Sequence, residues 1–132
     1  MKVAFDSSVL VAAVLKQHPD RDRAAAWIHA ARTKKIGAMA TCHAFAETWA
    51  TLTALPVEPR VGPDATSRLI ADLAKHVRAV ALSWKDYLGS FERCGAFGLR
   101  SGALYDALHL IAAEGHDADV FLTFNTRHFT RL

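Results

Sequence analysis

Short apolar runs alternate with amphipathic segments along nearly the whole chain, and this alternation limits the possible folds more than any other feature. The apolar runs cover residues 3–5, 36–40, 77–82 and 120–122, and turn or capping residues bound them. Strands separated by helical crossovers pair in parallel and are covered by helices on both faces. We therefore predict an α/β fold, a three-layer α/β/α sandwich with a short, mainly parallel central sheet.

The segments between the apolar runs predict six helices, several of which begin at a capping residue. Thr41 and Ser83 are placed to cap a following helix, and Asp6, Ser7 and Ser8 can cap the first one. The predicted helices cover residues 9–16, 20–32, 43–55, a segment from residue 64, residues 84–91 and residues 104–114. Glycines at positions 95, 98 and 102 predict a loop, and the chain from Asn125 predicts a turn and a short tail.

The composition of the 132 residues fits one globular domain, which we expect to span residues 1–132. Hydrophobic residues make up 52% and charged residues 22%, a balance that excludes an intrinsically disordered chain. No apolar run approaches the ~20 residues that a membrane span needs, so we expect a soluble, cytoplasmic protein. The net charge of +3 permits a polyanionic partner such as a nucleic acid without requiring one.

Four polar side chains fall where this fold would bring them together. Asp6 follows the first strand and Asn125 the fourth, while Glu47 lies in the third helix and Asp106 opens the sixth. Ligand sites of such folds lie at the carboxyl ends of the strands. Taken singly, each residue also has a plain structural explanation: a helix cap, an exposed helix residue, a charge that complements the helix dipole, or a turn residue.

The joint occurrence of these residues indicates a metal site. Three carboxylates held close together repel one another and acquire raised pKa values, and a divalent cation relieves that repulsion. Donors that are all oxygen atoms favour Mg²⁺ or Mn²⁺ over zinc, and none of the seven histidines forms a zinc motif. A cation held by few carboxylates and by substrate phosphates suits the hydrolysis of a phosphodiester.

At these residues the sequence resembles the PIN-domain ribonucleases. The resemblance spans nearly the whole chain and rests on four blocks: VAFDSSVL at residues 3–10, AET at 46–48, LYDALHLIAA at 104–113 and LTFNTRHF at 122–129. PIN domains of this size and layout are chiefly VapC-like toxins. The resemblance therefore implies a PIN-like fold and an endoribonuclease that hydrolyses RNA with Mg²⁺ or Mn²⁺. It also implies a homodimer and a cognate VapB-like antitoxin, in a type II toxin–antitoxin system.

The resemblance assigns roles to individual residues. Asp6, Glu47 and Asp106 fill the acidic catalytic and metal-binding positions, and Asn125, a further metal-ligand candidate, stands where many members have another aspartate. Two hydroxyl residues could hold these ligands in place, although helix capping and strand-end hydrogen bonds would also explain them: Ser8 and Thr123. Three basic side chains are candidates for contacts with RNA phosphates: Arg127, His128 and Arg131.

Two other functions compete with this interpretation. Asn125 in place of an aspartate is compatible with a catalytically weak or inactive PIN-like module that binds RNA or regulates another protein. A phosphatase of the haloacid dehalogenase type also starts with a strand and an aspartate. That class requires a second aspartate two residues later, where this chain has Ser8. Metal-dependent RNA cleavage separates the active nuclease from the inactive module.

The apolar composition also bears on assembly. The predicted second helix carries Trp27 and Ile28, two large apolar side chains at adjacent positions. We expect the chain to dimerise and to expose an apolar groove near these residues that fits a partner helix.

Overall fold

The computed structural model describes residues 1–132 and contains four strands and seven helices. The strands are β1 (Lys2–Phe5), β2 (Gly37–Thr41), β3 (Val77–Val80) and β4 (Val120–Leu122). The helices are α1 (Ser7–Val14), α2 (Arg21–Arg32), α3 (Cys42–Ala54), α4 (Pro63–Leu73), α5 (Trp84–Ala96), α6 (Ala103–Gly115) and α7 (Thr126–Thr130). No helix combines the length and the apolar character needed to cross a membrane.

The strands form one sheet in the order β3-β2-β1-β4, and all neighbouring strands are parallel. Side chains of β1 alternate between the two faces, as the strand period requires. Val3 and Phe5 pack into a core with residues of α1, α2, α3 and α4, whereas Ala4 packs on the other face with Ala113 of α6. The predicted three-layer α/β/α sandwich with a parallel central sheet is confirmed.

Capping residues start two of the helices as the sequence predicts. Thr41 Oγ1 accepts a hydrogen bond from the Ala44 amide, and Ser83 forms a reciprocal capping box with Asp86. Asp6 precedes α1 in extended conformation, but its carboxylate makes no capping hydrogen bond to that helix. The carboxylate of Asp6 therefore remains available for other contacts at the end of β1.

Two segments differ from the expectation. The predicted tail after Asn125 contains the short helix α7, because Phe129 packs on Phe121 of β4 with the ring centroids 4.7 Å apart. The helix α5 continues through Gly95 to Ala96, a little more than one turn past the predicted end at Phe91, because Ser90 and Cys94 are buried. Burial along one face thus outweighs the cost of a glycine in the last turn of a helix.

The large apolar side chains on the surface are not those expected. Ile28 is buried in the core, whereas Trp27 is half-buried against that core and lines a small surface pocket. Exposed large apolar side chains occur instead on α5, at Trp84, Leu88 and Phe91. By exposure, α5 carries more large apolar side chains than α2 and therefore offers a second candidate for an apolar partner surface.

Candidate active site

The carboxyl ends of β1 and β4 form the floor of the candidate site. The two strands are neighbours, and their register pairs Phe5 with Leu122. The residues that follow, Asp6 and Thr123, are therefore brought together, and Thr123 Oγ1 donates a hydrogen bond of 2.7 Å to Asp6 Oδ2. Asn125 lies two residues further along, where its amide donates to Thr123 Oγ1 at 2.9 Å.

Asp6 is a buried carboxylate whose hydrogen-bond donors are all hydroxyl groups. Its residue is only 4% exposed, and no arginine, lysine or histidine lies within ion-pair distance. Besides Thr123, Ser8 Oγ donates to Oδ2 at 3.0 Å and Ser7 Oγ donates to Oδ1 at 3.3 Å. A carboxylate buried without a counter-charge is costly, so this position is suited to a cation.

Asp106 lies in the first turn of α6 and faces Asp6 across the site. Burial raises the pKa of the Asp106 carboxyl group above its ordinary value of 3.8, and the negative charge of Asp6 raises it further. The basic side chains of His128, His109 and Arg131 oppose this rise in pKa. His128 Nδ1 and Arg131 Nη2 lie 3.7 and 3.6 Å from Asp106 Oδ2, within ion-pair distance but beyond a good hydrogen bond.

Glu47, in the second turn of α3, is held by a buried histidine of α6. His109 Nε2 lies 2.6 Å from Glu47 Oε1, and His109 Nδ1 lies 2.8 Å from Thr41 Oγ1. Because Thr41 Oγ1 already accepts from the Ala44 amide, donating its proton to His109 Nδ1 satisfies this buried hydroxyl. We infer that His109 accepts at Nδ1 and donates from Nε2 to Glu47.

A second histidine and a tyrosine extend this cluster towards solvent. The ring of His43 stacks on Tyr105, with centroids 4.8 Å apart and an interplanar angle of 15°. His43 also approaches His109, with ring centroids 5.8 Å apart. His43 Nε2 also lies 3.9 Å from Glu47 Oε1, so both recorded contacts of the Glu47 carboxylate involve the same oxygen.

All four metal-ligand candidates line one open cavity of about 490 Å³. Three basic side chains line the same cavity, so that positive and negative groups face each other across it. The lining residues with acidic, basic or amide side chains are Asp6, Glu47, Asp106, Asn125, Arg100, His128 and Arg131. Arg127, the remaining candidate for contacts with RNA phosphates, is exposed on α7 and does not line the cavity.

The donors of this cavity fit a hard divalent cation. In the structure, no three acidic, histidine or cysteine side chains are already at the separation of a bound metal, since Glu47 is drawn to His109. Asp6, however, is buried and Asp106 is partly buried, and their two carboxylates repel one another. Asp6 also has no basic partner. A cation between carboxylate oxygens relieves that repulsion, and an oxygen-only set favours Mg²⁺ or Mn²⁺.

The sequence does not single out a role for four residues of the site: His109, His43, Tyr105 and Arg100. Helical spacing was the available signal for the histidines. His109 follows Asp106 by three residues in α6, and His43 precedes Glu47 by four in α3, so each pair lies on one helix face. No such pattern singles out Arg100, which the loop before α6 brings to the cavity.

The PIN-domain family model matches residues 3–132 of the chain. The chain belongs to the PIN-domain family. Two curated relatives from Mycobacterium tuberculosis are named as ribonucleases. Ribonuclease VapC27 is 29% identical over 118 residues, covering 89% of this chain and 81% of the relative. Ribonuclease VapC40 is 32% identical over 106 residues, covering 80% of this chain and 74% of the relative.

Solved structures with the same fold include toxins and toxin–antitoxin complexes. VapC20 of Mycobacterium tuberculosis, described as a toxin that cleaves the sarcin-ricin loop, has a TM-score of 0.75 at 18% identity, covering 97% of this chain and 93% of that one. VapBC2 from Rickettsia felis, solved with a DNA fragment of its promoter, has a TM-score of 0.72 at 18% identity, with coverage of 100% and 93%. These likenesses establish that this PIN-domain chain shares their fold.

Proposed function

We propose that this PIN-domain protein is an endoribonuclease that hydrolyses RNA phosphodiester bonds with Mg²⁺ or Mn²⁺. The observation that carries the proposal is the meeting of Asp6, Glu47, Asp106 and Asn125 in one cavity that basic side chains also line. Acidic groups suit a cation, and basic groups suit the phosphates of a polyanion. The cytoplasm is the proposed location of this activity. The naming of its relatives as ribonucleases supports the same reaction.

Asp6 and Asp106 are the proposed metal ligands, with Asn125 as a neutral third. A bound divalent cation supplies an activated water and offsets charge on the phosphoryl oxygens. The chain's part is to hold the two carboxylates apart and oriented before substrate arrives. Ser8 and Thr123 do this for Asp6, because their hydroxyl groups fix Oδ2 from two sides.

Glu47 is proposed to orient the attacking water. Its Oε1 atom is occupied by His109, whereas Oε2 has no hydrogen bond within the protein and is free to accept a proton from water. His109 is then a positioning residue, since it acts through Glu47. Its buried ring and its second hydrogen bond to Thr41 fix the direction from which Nε2 reaches the carboxylate.

Arg100, His128 and Arg131 are proposed to bind phosphates that flank the scissile bond. All three line the cavity, and two of them lie beside Asp106 without forming a close hydrogen bond to it. Such loosely paired cations can turn to a phosphate at little cost. Arg127 is exposed on the short helix α7, which also carries His128, and is proposed to contact a more distant part of the RNA backbone.

The biological role proposed for this activity is that of the toxin in a VapBC-like pair, as a homodimer silenced by a cognate antitoxin. The VapBC-1 structure from nontypeable Haemophilus influenzae, with a TM-score of 0.66 at 17% identity and coverage of 99% and 92%, is an example of such a pair. The exposed apolar residues of α5 offer area for such contacts. Growth arrest on expression, relieved by a co-encoded small protein, would support this role.

The proposed reaction is tested by incubating the purified protein with RNA while Mg²⁺ or Mn²⁺ is titrated. We expect cleavage that requires the metal and stops when a chelator is added. Binding of RNA without cleavage at any metal concentration would instead favour the inactive PIN-like module and overturn the nuclease proposal.

Removing the donor of His109 is expected to slow cleavage. His109→Leu keeps a similar volume but leaves Glu47 without its hydrogen bond, and the loss of such a supporting contact typically costs about 10- to 100-fold in activity. His109→Gln, whose amide can still donate, should recover most of the rate. Initial rates at saturating Mn²⁺ measure this, with thermal unfolding as the check on folding. Equal rates for the leucine variant and the unmodified protein would rule out the positioning role.

Substitutions of Asn125 are expected to act in opposite directions. The Asn125 side chain is exposed and makes no hydrogen bond within the protein, so Asn125→Ala removes only a neutral metal ligand and should reduce activity less than tenfold, roughly. Asn125→Asp adds a charge and should tighten Mn²⁺ binding by roughly tenfold, because attraction at contact distance exceeds the loss of an amide ligand. Initial cleavage rates measure the effect of Asn125→Ala on activity, and calorimetric titration with Mn²⁺ measures the metal affinity of both variants. Unchanged affinity in both variants would make Asn125 a turn residue only.

A further inference from the structure

We propose that Tyr105 is a stacking platform for an unpaired base of single-stranded RNA, at the rim of the acidic cavity. The inference rests on the proposed ribonuclease function and names a binding subsite of that same site. Tyr105 is 46% exposed although it lines the cavity, and it directly precedes Asp106 in α6. A base stacked on this ring would therefore lie next to the proposed metal ligands.

The Tyr105 ring stacks on His43, which in turn contacts the buried His109. His109 is 2% exposed and bonded at both nitrogens, so it cannot turn freely. His43 contacts both neighbours, and its ring is nearly parallel to the tyrosine ring at 15° and tilted by 35° from the buried histidine. The three rings form a cluster with one buried and one exposed member. A ring held in this way loses little conformational freedom when a ligand stacks on it.

The surroundings of Tyr105 indicate a nucleic acid as the occupant. Arg100 and Arg131 line the same cavity, so an aromatic ring, two guanidinium groups and the acidic cluster occur together. Grooves that bind single-stranded nucleic acids combine aromatic rings with positive charges that follow the backbone. The other exposed aromatic rings, such as Phe97, do not line this cavity.

The base must be unpaired, because a paired base already stacks on both neighbours within its helix. Stacking on an aromatic ring accepts any of the four bases and contributes mainly to binding. The platform should therefore set the affinity for a single-stranded segment beside the cleaved bond. It should leave the metal affinity and the chemical step unchanged, since Tyr105 provides no ligand and no proton to them.

The test uses short single-stranded oligouridines that carry one 2-aminopurine, placed at each position in turn. Binding is followed by 2-aminopurine fluorescence, which stacking on an aromatic ring quenches, with Ca²⁺ in place of Mg²⁺ and a gel to verify that the RNA stays intact. Tyr105→Leu removes the aromatic face, Tyr105→Phe keeps it, and Phe97→Leu is the matched control for the loss of an exposed ring outside the cavity.

We expect the unmodified protein, Tyr105→Phe and Phe97→Leu to quench the fluorescence at one or a few positions. Tyr105→Leu should lose this quenching and bind the oligonucleotide about 10- to 100-fold more weakly. In cleavage assays its KM should rise while kcat and the Mn²⁺ concentration at half-maximal rate stay the same. The fluorescence of a probe that is base-paired in a duplex should not fall further when any variant is added.

Several outcomes would overturn the platform. Unchanged binding and quenching in Tyr105→Leu, with normal cleavage by the unmodified protein, would reject the platform alone. A shifted Mn²⁺ dependence in Tyr105→Leu would show that Tyr105 acts through Asp106 and not on a base. If the unmodified protein neither binds nor cleaves RNA, the proposed function fails and the platform fails with it.

Discussion

Asp106→Asn is expected to abolish RNA cleavage while the protein stays folded. The substitution removes one of two ligand charges from a site that works by holding a cation, and we expect the rate to fall on the order of 10³-fold, equivalent to about 4 kcal/mol. The fold should not suffer, because burial and the charge of Asp6 already disfavour the ionised Asp106 carboxyl group. Cleavage rates and calorimetric Mn²⁺ titration measure the change.

The same shift gives the sign of a pH effect on the metal-free protein. Since the folded state raises the pKa of Asp106 above 3.8, the folded protein holds its proton more tightly than the unfolded chain does. Stability from this group is therefore present at low pH and is lost as pH rises from 3.8 through the raised value. Asp106→Asn should lack this loss. Asp64→Asn, at an exposed position on α4, is the matched control and should behave as the unmodified protein does.

Full activity of Asp106→Asn with an unchanged metal response would refute the proposed metal site.

Asp6→Ala is expected to lose both cleavage and stability. It removes the second ligand charge, so the rate should again fall on the order of 10³-fold. It also leaves the hydroxyl groups of Ser7, Ser8 and Thr123 without their shared acceptor, and lost hydrogen bonds to a buried charge should lower the free energy of unfolding by about 3 kcal/mol. Urea unfolding followed by circular dichroism measures the second effect.

Asp6→Asn separates the two roles of this residue. The amide keeps one acceptor oxygen for the hydroxyl groups, so this variant should recover much of the stability while remaining inactive. If Asp6→Ala unfolds at the same urea concentration as the unmodified protein, the hydroxyl groups do not depend on the carboxylate. The comparison with Asp106→Asn, which should lose activity alone, distinguishes a ligand that also holds the strand ends from one that does not.

The sequence predicts the sheet and the floor of the site because both follow from local patterns. Buried strands read as short apolar runs, and polar residues directly after two of them must meet if the strands are parallel neighbours. Asp6 and Asn125 are brought together for this reason, and Glu47 and Asp106 join them on helices that pack beside the sheet. The resemblance of these same blocks to one family gives the chemistry that position alone leaves open.

Contacts between distant segments account for what the sequence does not predict. His109 reads as one more residue of an amphipathic helix until α3 brings Glu47 within 2.6 Å of it. Trp27 and Ile28 are residue types that are common at interfaces, but Ile28 is buried in the core and Trp27 packs against it. The helix α7 forms from a polar segment because Phe129 finds a partner on β4. In each case the deciding neighbour is far away in sequence.

The hydroxyl group of Thr41 limits which residues evolution can place at that position. Helix capping alone would accept serine, threonine, aspartate or asparagine there. The same oxygen lies against His109 Nδ1, and an ionised aspartate has no proton to donate to that nitrogen. Thr41→Asp would draw the imidazole proton to Nδ1 and leave Nε2 bare against the Glu47 carboxylate. Among relatives that keep this histidine–glutamate pair, aspartate should therefore be absent at the start of α3, although the cap itself would tolerate it.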